Sequence, residues 1–193
     1  MSLRWALIAL LTGRPMTGYD ISKGFSRSVA HVWHAPDSQI YPELNRMERD
    51  GLLRSVEIPW GKKGTKKEYH VTDEGLAEFR TWMDSPQVPQ RQRDPAYLKA
   101  AYFDFADPAA VREQLRQQQE YWEEHLAMLE RTRASLVDRT HPILAARIEK
   151  LDDREAELAV RCKVYAYDGL IARARSELAW IADGFTLVDE LEA

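Results

Sequence analysis

Apolar positions near the start recur at helical spacing: Leu3, Leu7, Ile8, Leu10 and Leu11 cover one face of a short helix that Gly13 and Pro15 end. Thr17 and Asp20 make a capping pair ahead of Ile21 and Phe25, the apolar stripe of a second helix. Pro36-Asp37-Ser38 announces a third, with Asp37 or Ser38 as its cap, Ile40, Leu44 and Met47 inside, and Gly51 as its left-handed stop. Pro42 is tolerated only in a first turn, so this helix is expected to begin close to Ser38. Beyond Gly51 the period shortens to two. Leu53, Ser55 and Glu57 alternate with Arg54, Val56 and Ile58, Pro59 to Thr65 interrupts, and Lys67 to Thr72 extends again, which predicts two strands joined by a Gly and Lys loop. Thr72, Asp73 and Glu74 cap a fourth helix carrying Leu76, Phe79, Trp82 and Met83. Helix, helix, helix, hairpin, helix is the order of a winged helix-turn-helix.

The pattern then changes again. Residues 86–95 read as a connector, because prolines at 86, 89 and 95 in a polar stretch sustain neither helix nor central strand. From residue 96 to 193 the chain reads as helical, with Asp107 capping a helix that starts at Pro108 and reaches about Thr140, and His141-Pro142 opening another. The first has the register Val111, Leu115, Gln118, Trp122, His125, Leu129, Thr132, Leu136. The last helix carries two opposed stripes, one through Leu144, Ile148, Leu151, Leu158, Cys162 and Tyr165, the other through Val164, Tyr167, Ile171, Leu178 and Ile181. One buried face suffices for a helical hairpin, so the second stripe is expected to form a two-fold homodimer, or else to pack on the N-terminal domain. The expected fold class is mainly α: a winged helix-turn-helix at 1–85, a linker, and a long-helix dimerisation domain at 96–193.

Charge sharpens this division. The net charge is −4, yet residues 1–85 carry 12 basic and 11 acidic side chains and the remainder 15 and 20. Lys62, Lys63, Lys66 and Lys67 concentrate positive charge at the predicted hairpin tip, which suits a polyanion. In a winged helix-turn-helix the N-terminal part of the third helix enters the major groove, which places Ser38, Gln39 and Tyr41 at base edges or phosphates and Arg46 on the backbone. The lysine loop would follow as the wing. An alternative is a helical protein-interaction module whose winged domain does not bind DNA.

Enzymatic chemistry finds no foothold in the sequence, which has no nucleophile elbow, phosphate loop, dinucleotide fingerprint or H-E-x-x-H, and whose histidines at 31, 34, 70, 125 and 141 are scattered. No catalytic, cofactor or metal site is expected. Asp152-Asp153 and Glu123-Glu124 read as solvated helix faces. The single Cys162 cannot form an internal disulfide, and the apolar run Leu3 to Leu11, broken by Arg4, lacks a cleavage site and is too short to span a bilayer. A reducing, cytoplasmic setting and no membrane partner follow as expectations.

Three runs, LIALLTGRPMTGYDISKGF, QIYPELNRMERDGLL and KKEYHVTDEGL, resemble the DNA-binding domain of PadR-type bacterial transcription regulators. The ending SELAWIADGF is similar to that of the longer PadR subclass, which has a helical C-terminal dimerisation domain. The resemblance implies that Tyr19, Lys23, Ser38, Gln39, Tyr41 and Arg46 face DNA, with Lys62, Lys63, Lys66 and Lys67 on the wing. Glu68 departs from the family's basic or apolar preference at its position. The resemblance further implies a homodimeric repressor on double-stranded DNA with an inverted-repeat operator, released by a small aromatic effector. Trp5, Trp122 and His125 are the candidates to hold that effector, with Trp33, Tyr102, Phe103 and Phe105 as further aromatic surface.

Overall fold

The computed structural model describes residues 2–24, 35–61, 64–88 and 94–192. Phe25, His31, Trp33, His34, Lys62 and Lys63 lie outside them. The chain divides into two compact units, 1–87 with 140–159, and 88–139 with 160–193.

The first unit contains α1 (Ser2–Leu11), β1 (Met16–Thr17), α2 (Gly18–Gly24), α3 (Asp37–Arg49), β2 (Leu53–Trp60), β3 (Gly64–Val71), α4 (Asp73–Asp84) and α7 (Pro142–Ile148). Leu7, Ile8, Ile21, Ile40, Leu44, Met47 and Leu52 are buried together, so the apolar stripes read along the first three helices converge on one core. Trp5 packs beside this core against Phe79 at 6.5 Å and Trp82 at 5.8 Å, which joins α1 to α4. The third helix begins at Asp37, one residue earlier than expected, with Pro36 as its cap and no side-chain capping bond. Asp37 instead accepts a hydrogen bond from Ser22 Oγ at 2.5 Å, so neither predicted cap serves as one. Gly51 ends the helix with φ +79°, and Leu52 N donates to Met47 O at 2.9 Å while the Leu52 side chain returns to the core.

The sheet has three strands in the order β1-β3-β2, all antiparallel. β1 is two residues long, below the length at which alternation can be read, and it pairs Met16 with Tyr69 and Thr17 with Glu68. β2 does not stop at Pro59 as the sequence suggested; it continues to Trp60 opposite Gly64. Being an edge strand, it can leave proline's missing N–H unbonded. Thr72 caps α4 as expected: its Oγ1 accepts from Gly75 N at 3.0 Å and donates to Gly51 O at 2.7 Å.

The second unit is built from α5 (Pro95–Ala100), a 3-10 turn at Phe103–Phe105, α6 (Pro108–Val137) and the greater part of α8 (Asp153–Glu192). Asp107 caps α6 by accepting from Ala109 N at 2.8 Å and Ala110 N at 3.4 Å, ahead of Pro108 in the first turn. α6 and α8 run antiparallel, since Arg112 meets Asp189, Glu130 meets Arg175 and Arg133 meets Asp168. Phe103, Val111, Leu115, Ile181 and Val188 form a buried cluster, with Trp122 and Trp180 packed against it. Tyr97 OH donates to the buried Glu177 at 3.0 Å, which fastens α5 to α8.

Two expectations for the last helix need correction. It is not continuous from Pro142: α7 ends at Ile148, and Asp152 starts α8 with a reciprocal cap. Glu155 N donates to Asp152 Oδ1 at 2.8 Å and Asp152 N donates to Glu155 Oε2 at 3.3 Å, so Asp152 is a capping residue and not merely a solvated helix-face charge. The stripe assigned to a dimer interface is turned inward, with Tyr167, Ile171 and Ile181 buried within the chain and Val164 and Leu178 half-buried. The opposite stripe is open along α8, where Leu158, Cys162 and Tyr165 are exposed, and closed at Leu144 of α7, which is buried. Both stripes are apolar, so periodicity alone could not say which faces the core.

Candidate nucleic-acid interface

β1 ends after Thr17, which leaves the β3 edge beyond Glu68 without a strand partner, and a groove of 310 Å³ opens there. Tyr19, Tyr41, Trp60, Lys66, Lys67 and Tyr69 are among its walls. Four of the expected DNA-facing residues therefore share one surface feature. Tyr19 is 63% exposed, Tyr41 43% and Trp60 60%. Rings of this size left in water are commonly partnered, and phenol or indole edges suit sugar and phosphate.

The position of Tyr41 depends on a close approach. A Cβ on Gly18, the first residue of α2, would stand 2.5 Å from Tyr41 Cε1. We predict that Gly18→Ala pushes the ring off α2 at a cost of about 1 kcal/mol in stability, while weakening DNA binding more than that loss explains. Urea unfolding and a DNA titration on the same variant check this, and unchanged DNA affinity would separate Tyr41 from the interface.

Alternation along β3 gives its two lysines different roles. Lys67 points to α3, where Nζ lies 3.0 Å from Glu48 Oε2, and Glu48 also accepts from Ser55 Oγ. These bonds, the Ser55 one foremost, hold the Glu48 carboxyl below its ordinary pKa, and Glu48 raises that of Lys67. Lys66 projects to the other face, where its ammonium lies 3.9 Å from the centre of the Trp60 ring. Trp60 lines this candidate groove and is not among the residues the sequence points to, because Pro59 before it reads as the end of the strand. The signal was available in an indole placed beside a lysine hairpin.

The Glu48 network ties α3 to β2 and β3, so it fixes where the wing stands relative to the third helix. Because the folded Glu48 pKa is depressed, this contribution is fully present above about pH 4.3 and fades as pH falls through the folded value. Glu48→Gln is expected to lose stability at neutral pH and to show a shallower decline between about pH 5 and 3 than the native chain. Urea midpoints across that range measure it; parallel curves would contradict the assignment.

The remaining predicted residues are distributed along α2 and α3. Ser38 and Gln39 are exposed in the first turn of α3, and Lys23 is exposed on α2 with its ammonium 6.0 Å from the Tyr19 ring centre. Arg46 is engaged by Glu43 at 2.8 Å, and Glu43 also takes Arg4 from α1 at 3.2 Å, so Arg46 belongs to a charge chain as well as to the surface. Asn45, four residues after Tyr41 and exposed, is a further group suited to base edges. Its spacing from Tyr41, away from Ile40, Leu44 and Met47, made it legible, yet it was overlooked.

The aromatic residues considered for an effector do not share one unit. Trp5 belongs to the first unit, whereas Trp122 and His125 stand in the second beside Tyr121, with the His125 ring stacked on Tyr121 at 5.8 Å. Burial, then Arg173, holds the His125 pKa down, which favours neutral imidazole. Among the described residues, no group of three His, Cys, Asp or Glu could hold a metal ion and no helix is long and apolar enough to cross a membrane.

Residues 7–81 match the transcriptional regulator PadR-like family. The chain is 36% identical over 102 residues to the negative transcriptional regulator PadR of Bacillus subtilis, covering 52% of this chain and 56% of the relative. It spans about half the length of the curated relatives it matches, 56% of one and 48% of another. Over a wider span, the crystal structure of Bacillus subtilis PadR with operator DNA superposes with a TM-score of 0.66 at 24% identity, covering 94% of this chain and 99% of that one. The same protein with p-coumaric acid gives 0.59 at 22%, covering 98% and 99%. The fold is thus shared along nearly the whole chain, and its winged domain, over residues 7–81, is similar to the PadR-like family of transcriptional regulators.

Proposed function

We propose that this chain is a sequence-specific DNA-binding regulator, a homodimeric repressor that recognises an inverted repeat and is released by a small aromatic effector. The observation that carries the reading is the groove beside the β3 edge, where Tyr19, Tyr41, Trp60 and Lys66 stand together next to the polar start of α3. In this reading Ser38, Gln39 and Asn45 meet base edges, Tyr19, Tyr41 and Lys23 hold the sugar-phosphate chain, and Trp60 with Lys66 forms the base of the wing. Lys67 and Arg46 act chiefly by holding the domain in shape.

A division of labour accompanies this. The winged domain, with 140–159 packed in the same unit, reads DNA, and the helices that follow residue 95 bring two copies together. The dimer contact is assigned to the exposed apolar positions of α8, Leu158 and Tyr165 among them, in place of the buried Tyr167, Ile171 and Ile181. Two copies present two α3 helices, so half-sites about one helical turn apart are required. The Bacillus subtilis protein seen with operator DNA and with p-coumaric acid supports both the DNA and the aromatic effector. No catalytic step enters the reading.

Incubation with sheared DNA from the source organism at near-physiological salt, recovery of bound fragments and sequencing test it. A shared inverted repeat is expected. Uniform recovery or none would favour the protein-interaction alternative.

A further inference from the structure

The groove beside the β3 edge has more aromatic wall than a phosphate contact requires. A phosphate asks for donors, and a hydroxyl or an ammonium supplies them. Here Tyr19, Tyr41 and Trp60, all exposed, stand around one space of 310 Å³. That volume lies at the small end of the range of about 300–1,000 Å³ for small-molecule sites, so it suits one nucleotide and not a longer segment. Ring faces are what a nucleobase meets favourably once it leaves its own stack, because every base has a π-face.

Floor and walls are set before an occupant arrives. Thr17, Gly18 and Tyr69 line the groove and are buried. The Thr17 hydroxyl is engaged, since Oγ1 donates to Asp20 Oδ2 at 2.6 Å, and burial pushes the Tyr69 pKa above its ordinary value, so this floor is uncharged. Tyr41 backs onto Gly18, where a Cβ would meet its ring at 2.5 Å, which holds that wall in place. Of the two lysines in the lining, Lys67 is held by Glu48 at 3.0 Å, whereas the Lys66 ammonium stands 3.9 Å from the centre of the Trp60 ring. Rings with one ammonium beside them match the two parts of a nucleotide, a flat base and a phosphate.

We propose that this groove takes one unpaired nucleotide, its base stacked among Tyr19, Tyr41 and Trp60 and its phosphate on Lys66, so that the winged domain binds single-stranded DNA as well as duplex. The inference deepens the DNA reading of the same groove and rests on that reading for placing nucleic acid there. Stacking tolerates any base, so the groove adds affinity for opened DNA while sequence is read by α3. The nucleotide comes from a free strand or from a base extruded by the duplex, and extrusion carries the additional cost of unpairing.

Titration of the full chain into a five-nucleotide strand with 2-aminopurine at its centre tests the proposal, since stacking on aromatic rings quenches that base. A saturable quench with Kd below about 1 mM is expected. An unlabelled thymidine strand should displace it at least about tenfold better than the same strand with an abasic sugar at its centre. Trp60→Ala and Tyr41→Ala are each expected to raise Kd at least about fivefold, and Trp60→Phe, which keeps a π-face, to recover part of the loss. Trp60 is 60% exposed, so the urea midpoint of Trp60→Ala should equal that of the native chain, which separates lost stacking from lost fold. With 2-aminopurine at successive positions of the recovered inverted repeat, a signal change confined to one position of each half-site assigns the nucleotide to the duplex. A constant signal there, with the short strand bound, assigns it to free strands. Equal competition by the abasic strand, a quench unchanged in Trp60→Ala, or no saturation up to about 1 mM would each overturn the site. Preference for the repeat without any quench would refute this groove assignment and leave the regulator reading standing; a quench without such preference would do the reverse.

Discussion

Lys66→Ala is expected to weaken DNA binding about tenfold at ~0.15 M salt and to lower the salt slope by about one unit, whereas Lys67→Ala leaves the slope unchanged. Adjacent lysines in a strand point to opposite faces, and here one face meets Glu48 and the other meets Trp60. Only an ammonium that neutralises a phosphate releases a counterion, so the slope distinguishes the two where affinity alone would not. Trp60→Ala should behave as Lys66→Ala does in affinity, because the indole holds the ammonium at 3.9 Å and offers its own face to the sugar. Trp60→Phe should recover part of that loss. Lys67→Ala should instead resemble Glu48→Gln, with reduced stability and a shallower acid decline, since both delete the same link between α3 and β3. Fluorescence anisotropy with a labelled duplex across salt concentrations gives the slopes, and urea unfolding gives the stabilities. Equal slope changes for the two lysines would refute the division.

Gly75→Ala is expected to destabilise the winged domain by about 2–4 kcal/mol, a large fraction of the stability of a domain this size. Alanine has the better helix propensity, by up to about 1 kcal/mol, so the expected sign depends entirely on the surroundings. A Cβ at Gly75 would stand 2.3 Å from Leu52 O and 3.1 Å from Val71 Cγ1. Leu52 O is backbone that also accepts from Thr72 N at 3.1 Å, so it cannot retreat without loosening the entry to α4. Glu78→Ala, exposed on the same helix, is the control and should change stability by less than about 0.5 kcal/mol. Urea midpoints settle the comparison. A Gly75→Ala variant as stable as the native chain would show that α4 does not rest on the α3–β2 connection.

The terminal signals of the helices were readable because capping chemistry is local. Thr72, Asp107 and Gly51 each act where the sequence placed them. The Asp152 and Glu155 pair is equally local and has the spacing of a capping box, although Asp152 beside Asp153 reads as solvated charge. β1 could not be read, since two residues define no period and its existence depends on β3 arriving from elsewhere in the chain. The same applies to α8, where two apolar stripes are equivalent in sequence and the partners on α6 decide which is buried. At the candidate site, Tyr19, Tyr41 and Lys66 were found by motif, and what the sequence left out was their common groove with Trp60, which arises from the stopping point of a strand.

The central claim is that this chain discriminates one DNA sequence from others. Anisotropy competition at ~0.15 M salt between the recovered inverted repeat and a scrambled duplex of the same composition measures that ratio directly. A preference of about a thousandfold or more for the repeat is predicted. Equal competition by the two duplexes would mean that the groove and the third helix hold a polyanion without reading it, and would contradict the account.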